Sequence, residues 1–368
     1  MAKSLRILGV GNAKSLNFLR WGWRLADRGH EVMLVSSHLS TNPGELDRFE
    51  VFDVRRRGGL TRLPVLRRRG IPAAIGKLAQ QLDYDIAHAH YLLPYGWWAG
   101  LAGLQPLVVS PWGTDILIDA NSEPGRSRAC TALAAADAVV VNSAANAAAT
   151  QALGVPPELL TKIIWYAEPE RFSPDQRDPA VLEELDFPSD SLLVLSLRNF
   201  RPDTNLDRVV RAFARVREKE PRARLLLAAR AGPTRKAVEA LIDSLGLGDA
   251  IRIRFVAHGD LPRFVASADV LVSATESDST PASLLEAMAS GLPVVCVAAP
   301  SLEEWIEDGN GGALVPLDDE AIAAAILDLL ADPELRAKYG ERNRREVLRL
   351  VGDPGAALER LYREVLAA

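Results

Sequence analysis

The sequence predicts an α/β protein built from two parallel-sheet domains, and three observations support this prediction. The chain has 368 residues, more than a single hydrophobic core usually supports. Strand-like apolar runs alternate with helix-like amphipathic runs in both halves, which is typical of parallel sheets covered by helices. A polar, proline-containing stretch, 169–176, separates the halves and has the composition of a linker. We therefore expect domains at 1–168 and 177–353, with the terminal residues 354–368 crossing back to the first domain as a helix.

The first half alternates strands and helices from its start. A helix is predicted at Leu16–Arg28, closed by Gly29, and the alanine-rich segment 132–152 also has helical character. Strands are predicted at Leu5–Gly11, His30–Ser36, Ile86–His90, Leu107–Ser110, Ala138–Asn142 and Lys162–Trp165.

The second half repeats this alternation. Strands are predicted at Leu192–Leu197, Ala223–Ala229, Ile251–Val256, Val270–Ser273 and Val294–Val297. Helices are predicted at Leu206–Glu218, Lys236–Leu245 and Leu261–Ser267, and a further helix opens at Pro281 and stops at Gly291. Ligands of such folds bind beyond the carboxyl ends of the strands, so we expect a binding cleft between the two sheets.

Composition narrows the classes of partner. A net charge of −5 argues against a nucleic-acid binder. Cys130 and Cys296 are far apart in apolar surroundings, which favours buried thiols in a reducing compartment over a disulfide. No apolar run reaches about 18 residues, so we expect a cytoplasmic protein. Eight cations and no acid lie between Asp53 and Asp83, and the segment Arg55–Lys77 predicts either a solvated basic loop or peripheral contact with an anionic inner membrane face.

The run from 270 to 296 places a strand, a polar loop, a helix start and an acid close together. Backbone N–H groups at a helix start attract anions, so the diphosphate of an activated sugar suits this place. Glu286 follows Asp278 by eight positions, so one carboxylate lies in the helix and the other in the loop before it. Carboxylates accept strong hydrogen bonds from sugar hydroxyls. The alternative is structural: Glu286 favours the helix dipole and Asp278 solvates a loop.

This run, with Ser-Leu-Leu-Glu-Ala-Met-Ala-Ser-Gly-Leu-Pro-Val-Val at 283–295, resembles the acid-x7-acid motif of the family-4 retaining glycosyltransferases, and the resemblance extends over 304–316. The family has the GT-B fold of two Rossmann-like domains. The resemblance implies that Glu286 holds the donor ribose and that Asp278 has a catalytic role. Further donor contacts are implied for Ser279, Thr280, Pro281, Ala282 and Leu285. Asp278 stands where Glu is usual, and Glu276 is the alternative acid.

The loop after the strand at 192–197 resembles the family segment that supplies cations to the leaving diphosphate. Arg198 matches the arginine, and positioned cations stabilise the charge that develops as the glycosidic bond breaks. Thr204 occupies the usual lysine position, so half of the expected charge clamp is missing unless Arg201 or Lys14 supplies it. Val256 corresponds to the segment that brings backbone groups to the nucleobase, although a plain core strand also explains it.

Gly11 and Lys14 lie in the loop after the first predicted strand. The loop lacks the glycines of a phosphate-binding P-loop, because Ala13 and Leu8 hold those positions. It also lacks the dinucleotide fingerprint, since Lys14 replaces the third glycine. In the family it resembles, this loop faces the donor diphosphate and the acceptor. The alternative for Lys14 is a solvated surface side chain.

Further candidates follow two later strands of the first half. His88 and His90 share one face of a strand, and without nearby further ligands a metal site is not favoured. His90 is expected on the acceptor side, and His88 is expected to be structural. Trp112 stands where many family members carry a histidine that binds the donor sugar, and an indole offers only one N–H. Asp115 is a candidate sugar contact or a helix cap.

The resemblance implies a retaining glycosyltransferase that moves a sugar from a nucleoside-diphosphate sugar to a hydroxyl acceptor without a metal ion or other cofactor. The transferred group is expected to be a hexose, and the acceptor a glycan, a lipid or a small molecule. Two alternatives stay open: a nucleotide-sugar epimerase of the same shape, and a nucleotide- or glycan-binding protein with a decayed site. The latter is motivated by Trp112, Thr204 and Asp278 at three expected functional positions.

Overall fold

The structure is a computed structural model that describes residues 3–42, 44–57, 64–229, 231–276, 280–299 and 302–368, with backbone only for 56–57 and 64–69. The chain forms two compact units, one of residues 1–166 with 353–368 and the other of residues 167–352. Both units are Rossmann-like, with a sheet of parallel strands and covering helices. The stretch 169–176 packs inside the second unit, where Phe172 is completely buried.

In the first unit the strands have the order β3-β2-β1-β4-β5-β6-β7. The strands are β1 Arg6–Val10, β2 Glu31–Ser36, β3 Glu50–Asp53, β4 Ile86–His90, β5 Leu107–Ser110, β6 Ala138–Val141 and β7 Leu160–Lys162. The helices are α1 Leu16–Asp27, α2 Val54–Arg57, α3 Pro64–Ala79, α4 Trp97–Leu101, α5 Thr114–Leu117, α6 Glu123–Ala134 and α7 Ala144–Ala152. The strand order reverses direction between β1 and β4, which makes the carboxyl ends of these two strands the switch point where ligands bind in such sheets.

In the second unit the strands have the order β10-β9-β8-β11-β12-β14-β13, and the switch point lies between β8 and β11. The strands are β8 Leu192–Ser196, β9 Ala223–Leu227, β10 Ile251–Ile253, β11 Val270–Ser273, β12 Val294–Val297, β13 Glu307–Asp308 and β14 Gly311–Val315. The helices are α8 Ala180–Glu184, α9 Leu206–Lys219, α10 Arg235–Ser244, α11 Leu261–Ala266, α12 Ala282–Ala289, α13 Asp319–Ala331 and α14 Pro333–Val351. A last helix, α15 Pro354–Ala367, packs with the first unit.

Apolar periodicity explains why these segments fold as they do. Helix α9 places Leu206, Val209, Val210, Phe213 and Val216 on one face, and all five are buried. This spacing is that of an amphipathic helix against a sheet. The central strands are buried on both faces, so they are nearly continuous in apolar residues, as parallel sheets require.

Two predicted strands end earlier in the structure than expected. The strand predicted at Ile251–Val256 ends at Ile253. The strand predicted at Lys162–Trp165 ends at Lys162, because the chain leaves the sheet edge and the following residues pack as irregular buried backbone. The alanine-rich segment 132–152 is helical on both sides of β6, which confirms the strand predicted inside it. The valines of β6 and their pairing with β5 outweigh the helix propensity of the flanking alanines.

Candidate functional site

Arg198 lies at the switch point of the second sheet. It follows β8 by two residues, and its Nε donates to Oγ of Ser273, the last residue of the neighbouring strand β11, at 2.9 Å. The guanidinium is thereby held at the carboxyl ends of the two strands that flank the reversal of strand order. Ser273 was not among the sequence-predicted site residues, although its position at a strand end was visible.

Helix α12 begins beside this point. Pro281 is its N-cap with an extended backbone, one position earlier than the helical position predicted for it. Glu286 lies in the second turn and is 6% exposed, while Leu285 is packed in the core at 1%. Thr280 is buried, and its Oγ1 accepts a hydrogen bond from Trp305 Nε1 at 3.1 Å. Acidic side chains are seldom this buried without a partner, so the low exposure of Glu286 favours a specific role over general solvation.

Of the two candidate acids in the loop before α12, the structure describes Glu276. Asp278 and Ser279 lie outside the described residues. Glu276, the alternative acid, accepts a hydrogen bond from Asn205 Nδ2 at 3.1 Å, and the same amide donates to the carbonyl of Ala274 at 2.9 Å. Asn205 therefore ties the start of α9 to the end of β11, so the loop that leads to Asp278 leaves the sheet from a fixed point.

Arg201, one of the two candidates for the second cation, has an acidic partner in the structure. Arg201 forms a two-pronged ion pair with Asp203, with Nε and Nη2 at 2.9 and 3.0 Å from the carboxylate oxygens. The pair is exposed on both sides, so Arg201 would have to exchange Asp203 for the diphosphate in order to act as the second cation. Thr204 is buried, and its hydroxyl donates to the carbonyls of Asn199 and Arg201 at 2.8 Å, so it organises the loop that carries Arg198.

The predicted nucleobase segment follows β10. Val256 is buried at 8% exposure, three residues beyond the end of the strand. Its neighbour Phe255 is half exposed, which is unusual for a large apolar side chain at a strand end. Sequence reasoning missed Phe255 because it treated the whole of Ile251–Val256 as strand.

The first unit presents Gly11 and Lys14 at its own switch point. Gly11 follows β1 directly, and a Cβ there would meet the ring of Phe18 at 2.7 Å, so only glycine fits without moving that ring. Lys14 is exposed, and its backbone N–H is held by Asn12 Oδ1 at 3.0 Å. The close approach of helix α1 to this loop therefore depends on glycine.

His88 and His90 both point into the unit. His88 is completely buried and bridges Tyr362 of α15 and Ser110 at the end of β5, with Nδ1 2.6 Å from Tyr362 Oη and Nε2 2.7 Å from Ser110 Oγ. Trp21 Nε1 donates to the same Tyr362 hydroxyl at 2.8 Å. No other described residue accepts the Tyr362 hydrogen, so it donates to Nδ1 and the His88 proton lies on Nε2. Burial lowers the pKa of His88 to about 3 and keeps it neutral.

His90 is 1% exposed and stacks on His88 at 4.1 Å between ring centres. Aromatic rings of Phe18, Trp21, Trp112 and Trp165 surround it at 4.6–6.0 Å. Neither of its ring nitrogens has a hydrogen-bond partner among the described residues. Burial holds its pKa well below the usual value. These rings enclose the imidazole of His90, so a ligand could not touch it directly. The role on the acceptor side that the sequence predicts for His90 would act through the surrounding aromatic side chains.

Trp112 has the most exposed indole of this aromatic shell, and its Nε1 is buried without a partner among the described residues. Its ring meets Tyr91 edge-on at 5.9 Å, and Tyr91 Oη is 2.6 Å from Thr114 Oγ1. Trp165 is completely buried and completes the shell. It was not predicted as a site residue, because the sequence pattern placed it at the end of the strand Lys162–Trp165. The sugar-side role predicted for Trp112 stays a prediction.

The structure corrects the sugar contact predicted for Asp115. Its side chain is fully buried, and its carboxylate accepts backbone N–H groups of Leu92, Trp112 and Gly113 at 2.5–3.2 Å. It therefore ties the loop after β4 to the loop after β5, in place of facing a ligand. Burial raises the pKa of Asp115 to about 6, and the backbone N–H groups that its carboxylate accepts, including its own, oppose that shift.

The remaining predictions concern ions and surfaces. No group of His, Cys, Asp and Glu that would hold a metal ion occurs among the described residues. The Cys296 thiol is buried and its pKa is raised to about 12, as expected for a core thiol.

Most side chains of the basic segment 55–77 lie outside the described residues. Of those described, Arg55 is 3.8 Å from Asp53, and Lys77 is exposed. None of the described helices is long and apolar enough to span a membrane.

Two family models match the chain, one for glycosyl transferase 4-like proteins over residues 6–143 and one for glycosyl transferases group 1 over residues 179–346. Together they match most of both units. The chain belongs to the family-4 glycosyltransferases. It is therefore an enzyme that transfers a glycosyl group, with the GT-B arrangement of two Rossmann-like domains.

Individual relatives are distant. The chain is 27% identical over 341 residues to N-acetyl-alpha-D-glucosaminyl L-malate synthase of Bacillus anthracis, covering 89% of this chain and 86% of that protein. It is 28% identical to D-inositol 3-phosphate glycosyltransferase of Streptomyces scabiei, covering 70% of this chain and 62% of that protein. The crystal structure of Anabaena Alr3699/HepE in complex with UDP and glucose matches with a TM-score of 0.79 at 20% identity, over 97% of this chain and 99% of that one. At that identity the match shows the fold.

Proposed function

We propose that this glycosyltransferase moves a hexose from a nucleoside-diphosphate sugar to a hydroxyl acceptor, with retention of anomeric configuration. The observation that carries the proposal is the position of Arg198, which a hydrogen bond to Ser273 holds at the switch point between β8 and β11. Anionic ligands of open α/β sheets bind at such points, next to a helix start. Complexes of Alr3699/HepE with UDP and glucose support a uridine nucleotide as the first donor to test.

Arg198 is assigned to the leaving group. As the glycosidic bond breaks, its electron pair moves to the oxygen of the β-phosphate, and negative charge builds there. The hydrogen bond from Arg198 Nε to the Ser273 hydroxyl orients the guanidinium toward the carboxyl ends of β8 and β11, where the β-phosphate is expected. Arg198 thus stabilises the transition state more than the bound donor, which is the condition for lowering the barrier.

Glu286 is assigned to the donor ribose. It lies in the second turn of α12, four residues after the first residue of the helix, and it is nearly buried. Its carboxylate would accept hydrogen bonds from two neighbouring ribose hydroxyls, each worth about 1.5–3 kcal/mol because the acceptor is charged. The backbone N–H groups of Ala282 and Ser283 at the helix start are assigned to the diphosphate.

Retention follows in this proposal from the leaving group. The departing β-phosphate oxygen takes the proton of the acceptor hydroxyl on the face from which it leaves, so the new bond forms on that same face. No metal ion is required, because Arg198 and the helix start supply the positive charge.

A panel of UDP, GDP, ADP and TDP sugars tests the proposal by thermal shift. Stabilisation grows with the ratio of ligand concentration to Kd, so one nucleotide class should raise the melting temperature and the others should not. Product analysis with that donor then separates transfer from epimerisation, because an epimerase converts the donor without an acceptor. An inverted anomer in the product would contradict the retaining mechanism.

Glu286→Ala tests the ribose assignment. The loss of charge-assisted hydrogen bonds should raise the donor KM by roughly one to two powers of ten, with a smaller change in kcat. Glu218→Ala is the matched control, because Glu218 is an exposed carboxylate on α9 away from the sheet edge. An unchanged donor KM in the Glu286 variant, with the control also unchanged, removes Glu286 from the site.

A further inference from the structure

A cavity of about 440 Å³ lies in the first unit between α4, α6 and the turn that follows β4. Its size falls within the range of small-molecule sites, roughly 300–1,000 Å³. None of the sequence-predicted site residues lines it. The lining residues are Leu93, Pro94, Trp97, Trp98, Asp119, Ser122, Pro124, Gly125 and Arg128.

One wall of the cavity carries an oriented cation. The guanidinium of Arg128 lies over the ring of Trp97, 4.9 Å from its centre, which fixes the plane of the guanidinium. Arg128 forms no hydrogen bond or ion pair with the part of the chain that the structure describes. Its donors are therefore available to a ligand in the cavity.

The lining also includes a carboxylate acceptor. Asp119 is exposed, and its carboxylate is without an ion pair or hydrogen bond among the described residues. Trp98 Nε1 is buried and likewise has no partner there. The turn that carries Asp119 is rigid, because Ser122 Oγ donates to the Asp119 carbonyl at 2.9 Å and a Cβ on Gly125 would meet that carbonyl oxygen at 1.9 Å.

The opposite charges of Arg128 and Asp119 indicate which class of ligand fits the cavity. Arg128 only donates hydrogen bonds and Asp119 only accepts them, so an anion would leave Asp119 opposed and a cation would leave Arg128 opposed. A ring with neighbouring neutral hydroxyls satisfies both, since each hydroxyl donates and accepts. The indoles of Trp97 and Trp98 offer apolar surface for the C–H groups of such a ring.

We propose that this cavity is a binding site for a neutral sugar ring and that it holds a saccharide part of the acceptor. The site opens directly after β4, on the carboxyl side of the sheet. That the bound sugar belongs to the acceptor rests on the proposed function, whereas sugar binding at this site does not. The enzyme then transfers to a glycan or glycoside in preference to a small anionic hydroxy acid.

Saturation-transfer NMR on the full chain, without donor, tests the binding. The probes are the neutral disaccharides cellobiose, maltose and N,N′-diacetylchitobiose, and the comparison ligands are malate and inositol 3-phosphate. At least one disaccharide should bind, with Kd in the millimolar range or below. Arg128→Ala and Asp119→Asn should each weaken it by roughly ten- to a hundredfold, from the loss of charge-assisted hydrogen bonds.

Arg126→Ala is the matched control, because Arg126 is an exposed arginine on the same helix that does not line the cavity. It should leave disaccharide binding unchanged. The proposal is overturned if none of the three disaccharides binds, if Arg128→Ala leaves their binding intact, or if the two anions bind and Arg128→Ala abolishes that. Thermal shift with the nucleotide sugars, run on the same variants, reports donor binding separately, so failure of the donor assignment and failure of this site are distinguishable.

Discussion

At the switch point of the second unit, charged and hydroxyl side chains border the sheet, whereas at that of the first unit aromatic rings do. Arg198 and Ser273 meet where β8 and β11 end. His90 lies inside a shell of indole and phenyl rings where β4 ends. Two sheets with the same order in their first five strands thus carry different chemistry at the same place, and the difference lies in the residues directly after the strands. A diphosphate suits the charged edge, whereas the aromatic edge is a packed cluster in which Phe18, Trp21 and Trp165 are completely buried.

Asp115 is a charged residue at the otherwise aromatic edge of the first sheet. Its removal should lower the free energy of unfolding more than any other change considered below. Asp115→Ala leaves three buried backbone N–H groups without an acceptor, and the free energy of unfolding should fall by roughly 3 kcal/mol or more. Urea unfolding followed by circular dichroism measures this. Asp119→Ala is the control, because Asp119 is an exposed acid in the same unit. A loss below about 1 kcal/mol would show that the loop does not depend on this carboxylate.

Asp115 should also make the free energy of unfolding depend on pH. Burial raises the pKa of Asp115 to about 6 from an ordinary 3.8. The folded state therefore keeps a proton that the unfolded state loses, so this contribution is complete below pH 3.8 and is lost as the pH rises through 6. The difference corresponds to roughly 3 kcal/mol. Asp115→Asn should remove this part of the slope, which a comparison of unfolding free energies at pH 4 and pH 7 would measure.

Arg198→Ala tests the charged edge. Removal of one group that stabilises developing charge should lower kcat by about a hundredfold or more, with a smaller effect on donor binding. Steady-state kinetics with the donor from the thermal-shift panel separates the two parameters. Arg198→Lys keeps the charge but not the hydrogen-bond geometry, so partial recovery is expected. A change confined to KM would argue against a role in the transition state.

Tyr362→Phe tests how the terminal helix supports the aromatic edge. The change removes the hydroxyl that accepts from Trp21 and donates to His88, and it should lower the free energy of unfolding by about 1–3 kcal/mol. Tyr84→Phe is the control, because its hydroxyl is at the surface and makes one long hydrogen bond of 3.4 Å. Equal stability of the two variants would show that the buried network contributes little.

The sequence predicted well what depends on local pattern. Gly11 and Arg198 both lie where the alternation of strands and helices placed them, because parallel strands all end at one edge of a sheet. It could not predict what depends on distant partners. The enclosure of His90 requires Trp165 and the fixed tautomer of His88 requires Tyr362, which lie far away in sequence.

The pairing of Arg201 is a different case, because its partner is two residues away and was visible in the sequence. Arg201→Ala should have the smallest effect of these changes, since an exposed ion pair contributes about 0.2–1 kcal/mol and the side chain is not assigned to the leaving group. Its kcat should stay within about twofold of the wild type, a change of roughly 0.4 kcal/mol in the barrier. A loss comparable to that of Arg198→Ala would mean that Arg201 leaves Asp203 when the donor binds, and the charged edge would then contain two cations.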